Sequence, residues 1–219
     1  MLELQNEGES MNWPNKITIF RLITVPLIIA LLICSYYLTG DQFFIIKNNY
    51  KLPIFTLTAG ILFIIASLSD FLDGYIARKY NIVTDFGKFL DPIADKFLVN
   101  SVLILFAWNQ MIPVWVTLIF ILRDIFVDFI RMMLAKNNVT LAAGIWGKLK
   151  TVFQMIGLSL LFFVSYKFFA DYPQEYGWFN QVTLSPVYLG VFFSLYSGVD
   201  YFIKAAPTLF PHHKTKGIK

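Results

Sequence analysis

Four aspartates stand in two close pairs: Asp70 with Asp73 three residues on, and Asp91 with Asp95 four residues on. At about 100° per residue, each pair shares one face of a helix. Carboxylates crowded in this way raise one another's affinity for protons unless a cation neutralises them. Hard divalent ions do so, because Mg²⁺ and Mn²⁺ prefer oxygen ligands from carboxylate, phosphate and water. The residues between the pairs suit a phosphate ligand. Gly74 removes a side chain where a ligand approaches the backbone, Ala77 keeps that face low, and Arg78 sets a planar, doubly donating cation beside the acids. Gly87 lets the chain turn into the helix of the second pair, whose N-terminal dipole favours acids.

The elements that carry these acids read as membrane helices. Of 219 residues, 57% are apolar, 18% aromatic and only 15% charged, whereas a soluble domain is about a quarter charged. Disordered, collagen-like and disulfide-framework classes are excluded. Six apolar stretches, about Ile17 to Leu38, Ile54 to Lys79, Phe89 to Trp108, Val114 to Leu134, Thr151 to Phe169 and Leu184 to Ile203, suit roughly 20 residues per crossing. All are expected to be helical, because backbone facing lipid must satisfy its own hydrogen bonds. The fold class is therefore an all-α integral membrane protein with six transmembrane helices and both termini on one side. With that topology, three of the 18 Lys and Arg (Lys47, Lys51 and Lys167) fall on one side and the rest on the other. The positive-inside rule makes the basic side cytoplasmic, so the formal net charge of +4 is a topology signal and calls for no nucleic acid. The acids lie at the cytoplasmic ends of the second and third spans, where an uncompensated Asp costs about 2.5 to 3.5 kcal/mol even on the lenient scale.

The run Asp70-Phe-Leu-Asp73-Gly74-Tyr-Ile-Ala77-Arg78, followed after eight residues by Gly87-Lys-Phe-Leu-Asp91-Pro-Ile-Ala-Asp95, resembles the full signature of the CDP-alcohol phosphotransferases. The resemblance implies six transmembrane helices, a cytoplasm-facing active-site cavity, a homodimer, and a divalent-metal site formed by these aspartates, expected to hold two Mg²⁺ or Mn²⁺ ions. It implies transfer of a substituted phosphate from a CDP-linked donor to an alcohol, with release of CMP. In that pattern Asp70, Asp73, Asp91 and Asp95 are metal ligands, and Asp95 is also the general base. Asp70, Gly74, Arg78 and Thr84 hold the nucleotide, with Asn15 and Thr18 as further candidates for CDP-diacylglycerol. Two divalent ions bridging a diphosphate offset charge on the leaving group. An alcohol still needs its proton removed, and Asp95, one turn beyond Asp91, is the best-placed carboxylate.

A second, basic cluster bears on the acceptor. Arg123, Asp124, Asp128 and Arg131 recur along the fourth span, and Gly147-Lys148-Leu-Lys150-Thr151 opens the fifth. Arginines inside a bundle need anionic partners. Asp124 and Asp128 supply part of that need in a purely structural reading. The surplus cations, Lys148 included, argue instead for a phosphate on the acceptor, held by Arg123, Arg131 and Lys148. That points to sn-glycerol 3-phosphate and against choline or ethanolamine. The opening Asn12-Trp13-Pro14-Asn15-Lys-Ile-Thr18-Ile-Phe-Arg21, Ala143-Gly144 before Gly147, and Ser197-Gly198-Val-Asp200-Tyr201 are similar to the glycerol-3-phosphate-using branch of the same family. Inositol phosphate, or phosphatidylglycerol, carries a phosphate too and remains an alternative acceptor. A divalent-cation transporter is a remote alternative, since it predicts acids near the bilayer centre on several helices.

Other residues have plain readings. Residues 1–10 form a polar leader outside the fold, 11–205 the catalytic domain, and 206–219 a basic tail facing lipid headgroups. Cys34 is a small apolar side chain, His212 and His213 are solvated, and Asp85 is unassigned.

Overall fold

The computed structural model describes residues 13–38, 43–47, 50–80, 85–137, 139, 144–169 and 177–209. Their side chains are described for 20–38, 50–69, 93–137, 139, 144–169 and 177–209. The chain divides into two compact units, Met1–Leu105 and Phe106–Lys219.

In the first unit, α1 (Trp13–Tyr37) is followed by a two-stranded antiparallel hairpin, β1 (Phe43–Lys47) and β2 (Tyr50–Pro53), then by α2 (Ile54–Tyr80) and by α3, which starts at Asp85. The apolar faces of α1 and α2 pack together, and Ser35 and Thr56 share a 2.6 Å hydrogen bond between their hydroxyls. Within an apolar helix pair such a bond satisfies two groups that lipid cannot. Val25, Ile28 and Leu32 of α1, and Ala59, Phe63 and Ala66 of α2, are buried. The hairpin was not expected. Its strands are the aromatic and β-branched run Phe43-Phe-Ile-Ile and the short Tyr50–Pro53, with Lys47 paired to Tyr50 across Asn48-Asn49. These residue types favour strands and turns over helix.

The second unit begins within α3, which ends at Trp108. Gln110 takes φ 53°, the amide of Met111 reaches Phe106 O (2.8 Å) and that of Gln110 reaches Ala107 O (3.0 Å). These two bonds form a Schellman cap with a left-handed residue other than glycine. The Tyr166 hydroxyl donates to Gln110 O at 3.1 Å and ties the cap to a single 3₁₀ turn, Tyr166–Phe168. Helices α4 (Val114–Lys136), α5 (Ile145–Phe163) and α6 (Trp178–Leu209) complete the unit, with α6 packed on both α4 and α5. The fifth helix starts and ends six residues before the expected Thr151 to Phe169. The sixth extends past Leu184 to Ile203 at both ends, running four residues into the expected tail. Pro186 inside α6 removes the amide that would meet Val182 O, and the Ser185 hydroxyl donates to that carbonyl instead at 2.8 Å.

Large apolar side chains face outward, among them Ile23, Leu122, Ile145, Phe192 and Val199. Among the described residues, three helices are long and apolar enough to cross a membrane: Phe20–Tyr37, Ile145–Phe168 and Trp178–Leu209. The other three carry the acids and the fourth-span charges in their sequences. The all-helical membrane architecture therefore stands, interrupted by one hairpin.

Candidate active site

Helix α2 carries Asp70, Asp73, Gly74 and Arg78 in its last three turns, and α3 carries Asp91 and Asp95 in its first three. At helical spacing the first pair sits about 60° apart around its axis and the second about 40°. The side chains of Asp70, Asp73, Gly74, Arg78 and Asp91 lie outside the described residues, as do those of Asn15 and Thr18 on α1. Thr84, residues 1–10, His212 and His213 lie outside them altogether. Asp95 is half-buried, next to the fully buried Ala94. An all-carboxylate donor set on two helical segments fits a hard divalent cation and offers nothing to a softer metal.

The basic cluster is described in atomic detail, in the second unit. Arg123 on α4 directs each of its three nitrogens at a different group. Nη1 donates to Asp124 Oδ1 (3.0 Å), Nη2 to Ser197 Oγ (2.6 Å) and Nε to the Ser194 carbonyl (3.2 Å). The Ser197 hydroxyl in turn donates to Ser194 O at 3.1 Å. The arginine stem runs alongside Gly198 of α6, where a Cβ would sit 3.4 Å from Arg123 Cγ, an ordinary contact. From α5, Lys150 Nζ donates to both oxygens of Asp124 (2.8 and 2.7 Å) and lies 5.5 Å from the centre of the Phe120 ring. The Arg123, Asp124 and Lys150 side chains are only 12, 14 and 8% exposed. Within this three-residue set two cations share the carboxylate of Asp124, a formal charge of +1 in a largely desolvated place. Such a surplus favours an anion.

The three cations expected to hold the acceptor phosphate occupy different settings. Arg123 lies inside this network. Arg131, two turns along α4, is exposed; its Nε is 3.4 Å from the Tyr201 hydroxyl and its guanidinium 5.2 Å from that ring's centre. Lys148 is exposed. Asp128 is half-buried, and Asp124 forms ion pairs with Arg123 and Lys150. Lys150, Ser194, Ser197 and Tyr201 had no assigned role. Lys150 lies in the run Gly147–Thr151 and Ser197 and Tyr201 in the run Ser197–Tyr201, but only the fold reveals that Lys150 meets Asp124, Ser197 meets Arg123 and Tyr201 meets Arg131. Lys204 and Asp200 add an exposed ion pair at 2.7 Å on the rim.

Beside Arg123, α4 and α6 leave a groove of about 540 Å³, lined by Ile119, Leu122, Arg123, Phe126, Leu195, Gly198, Val199 and Phe202. Arg123 supplies its one charged group.

Residues 11–193 match the CDP-alcohol phosphatidyltransferase family. The chain is 37% identical over 194 residues to a CDP-diacylglycerol--glycerol-3-phosphate 3-phosphatidyltransferase of Bacillus subtilis (strain 168), covering 88% of this chain and 94% of that protein. An identically named protein of Mycoplasma genitalium is 37% identical over 193 residues, covering 87% of this chain and 82% of that one. One of Rickettsia typhi is 36% identical over 199 residues, covering 91% and 99%. With a match over most of its length, and with the acids and the buried cations in place in its helices, this chain belongs to the CDP-alcohol phosphatidyltransferase family.

Proposed function

We propose that this membrane enzyme moves the phosphatidyl group of CDP-diacylglycerol onto sn-glycerol 3-phosphate, giving phosphatidylglycerophosphate and CMP. The names of its relatives support the reaction. The observation that carries the acceptor is the buried cluster in which Arg123 and Lys150 share the carboxylate of Asp124. A phosphorylated alcohol completes that charge, and a cationic one repels it.

The acceptor's terminal phosphate binds at Arg123, assisted by Arg131 and Lys148, and its free primary hydroxyl is the nucleophile. Arg78, with Asn15, Thr18, Gly74 and Thr84, holds the CDP portion of the donor. Asp95 takes the hydroxyl proton. The acceptor oxygen bonds to the donor's phosphatidyl phosphorus as the bond from that phosphorus to the CMP oxygen breaks, so the electron pair leaves with CMP. Asp70, Asp73, Asp91 and Asp95 would hold two Mg²⁺ or Mn²⁺ ions, which would offset diphosphate charge when bound. All six helices cross the cell membrane, with both termini and the catalytic groups at the cytoplasmic face, as the Lys and Arg asymmetry supports. The acyl chains leave sideways between helices into the bilayer, and the enzyme works as a homodimer.

Purified protein in mixed micelles with CDP-diacylglycerol tests the acceptor directly. CMP release is expected with glycerol 3-phosphate. Release only with inositol phosphate or phosphatidylglycerol would replace the acceptor, and metal uptake into vesicles without CMP would replace the chemistry.

A further inference from the structure

Lysine is costly where a helix packs among apolar side chains, yet Lys150, in the second turn of α5, is buried and reaches α4 rather than water. An isolated Arg123–Asp124 pair would cancel its own charge and have little pull on a phosphate. Lys150 changes that balance. It donates to both carboxylate oxygens of Asp124, while Arg123 donates a single bond to the acid, through Nη1. The Ser194 carbonyl and the Ser197 hydroxyl fix the arginine's remaining direction. Three of its five N–H groups are thereby committed, and two have no protein acceptor among the described residues.

We propose that Lys150 and Asp124 are positioning residues which orient Arg123 and keep its charge uncancelled for the acceptor's phosphate. The proposal rests on the acceptor reading above. Neither residue needs to touch substrate. Asp124 holds the guanidinium against its two serine partners, and Lys150 offsets the charge that Asp124 contributes. The formal charge of the three-residue set is +1 in the parent. Lys150→Met brings it to zero, and adding Asp124→Asn to that variant returns it to +1.

The charge count makes the test specific. In the full-length enzyme, KM is measured for glycerol 3-phosphate and for CDP-diacylglycerol, with inorganic phosphate as a competitive inhibitor. Lys150→Met is expected to raise KM for glycerol 3-phosphate about tenfold or more, the scale of one charge removed near a partly buried anion site. KM for the lipid donor is expected to stay within about twofold. The double variant Asp124→Asn/Lys150→Met is expected to recover most of the loss, as is Lys150→Arg alone, and the inhibition constant for phosphate should follow the same order. KM is independent of how much protein accumulates, so partial misfolding does not imitate this pattern. Lys150→Gln with and without Asp124→Asn repeats the comparison if the methionine variant is not produced. An unchanged KM in Lys150→Met, or a double variant no better than the single one, overturns the proposal and makes the lysine a helix clamp. A parent enzyme that turns over another acceptor but not glycerol 3-phosphate overturns the acceptor reading, a failure visible before any variant is made.

Discussion

Gly157→Ala tests whether close packing of α5 on α6 holds the basic cluster together. A Cβ on Gly157 would meet Val187 Cγ2 at 2.6 Å, the Val187 amide nitrogen at 3.0 Å and its Cα at 3.3 Å. The first separation is shorter than real carbon contacts, and the other two involve backbone, so no rotamer change relieves them. One turn further along the same crossing, Gly190 brings its backbone to Gln154, where a Cβ would be 3.3 Å from the amide nitrogen. The helices therefore have to separate. Overpacking of this kind costs about 1 to 3 kcal/mol, against which alanine returns up to about 1 kcal/mol of helix propensity. A net loss of about 1 to 2 kcal/mol lowers the thermal midpoint by about 2 to 8 °C for a chain of this size. Because Lys150 lies two turns before Gly157 on α5, KM for glycerol 3-phosphate should rise as well. Gly147→Ala is the control: nothing lies within 4 Å of its Cβ position, so propensity alone acts and the midpoint holds or rises. The assay is thermal unfolding in a fixed detergent, by tryptophan fluorescence and by residual activity. Gly157→Ala as stable as the parent would refute the packing argument.

Three further outcomes are expected. Asp95→Asn should abolish transfer while metal-dependent binding of CDP-diacylglycerol persists; measurable turnover at the parent rate removes Asp95 as the base. Arg131→Ala should raise KM for glycerol 3-phosphate by about five- to tenfold with little change for the lipid donor, the effect of losing one exposed phosphate contact; a change confined to the donor would move Arg131 to the other substrate. Chelation of divalent cations should stop CMP formation, with recovery on adding Mg²⁺ or Mn²⁺, and full activity after exhaustive chelation would refute a metal-dependent transfer.

Hydropathy located all six helices but placed their ends less well, because an apolar run records burial in lipid and not where hydrogen bonding stops. Phe162 and Phe163 lead into Val164, already extended at φ −132° and ψ 94°, with no change in hydropathy to mark the end of α5. The start of α5 was missed for the opposite reason: Gly144 and Gly147 look like loop residues, yet Gly144 caps the helix and Gly147 lies inside it. The strands at Phe43–Lys47 and Tyr50–Pro53 fall between the first two expected spans, where hydropathy marks only a connection, although their aromatic and β-branched residues favour strand. The acidic pairs were legible in their i, i+3 and i, i+4 spacing, which announces a shared face, and in the resemblance of the surrounding run to the family signature. The basic site was legible only in part. Lys148 and Lys150 are about 200° apart on one helix, so the sequence reveals that they face opposite ways but not which one faces inward. The structure buries Lys150 on Asp124 and leaves Lys148 exposed. The serines that steer Arg123 come from α6, more than seventy residues away, a pairing that no local pattern carries.

Product analysis of the reconstituted enzyme probes the central claim most directly. Proteoliposomes holding CDP-diacylglycerol are given isotopically labelled glycerol 3-phosphate and Mg²⁺, and lipids and nucleotides are quantified by mass spectrometry. The account predicts labelled phosphatidylglycerophosphate and CMP in equal amounts. CMP formed together with phosphatidic acid, with no label entering lipid, would mean that water is the acceptor and would contradict it.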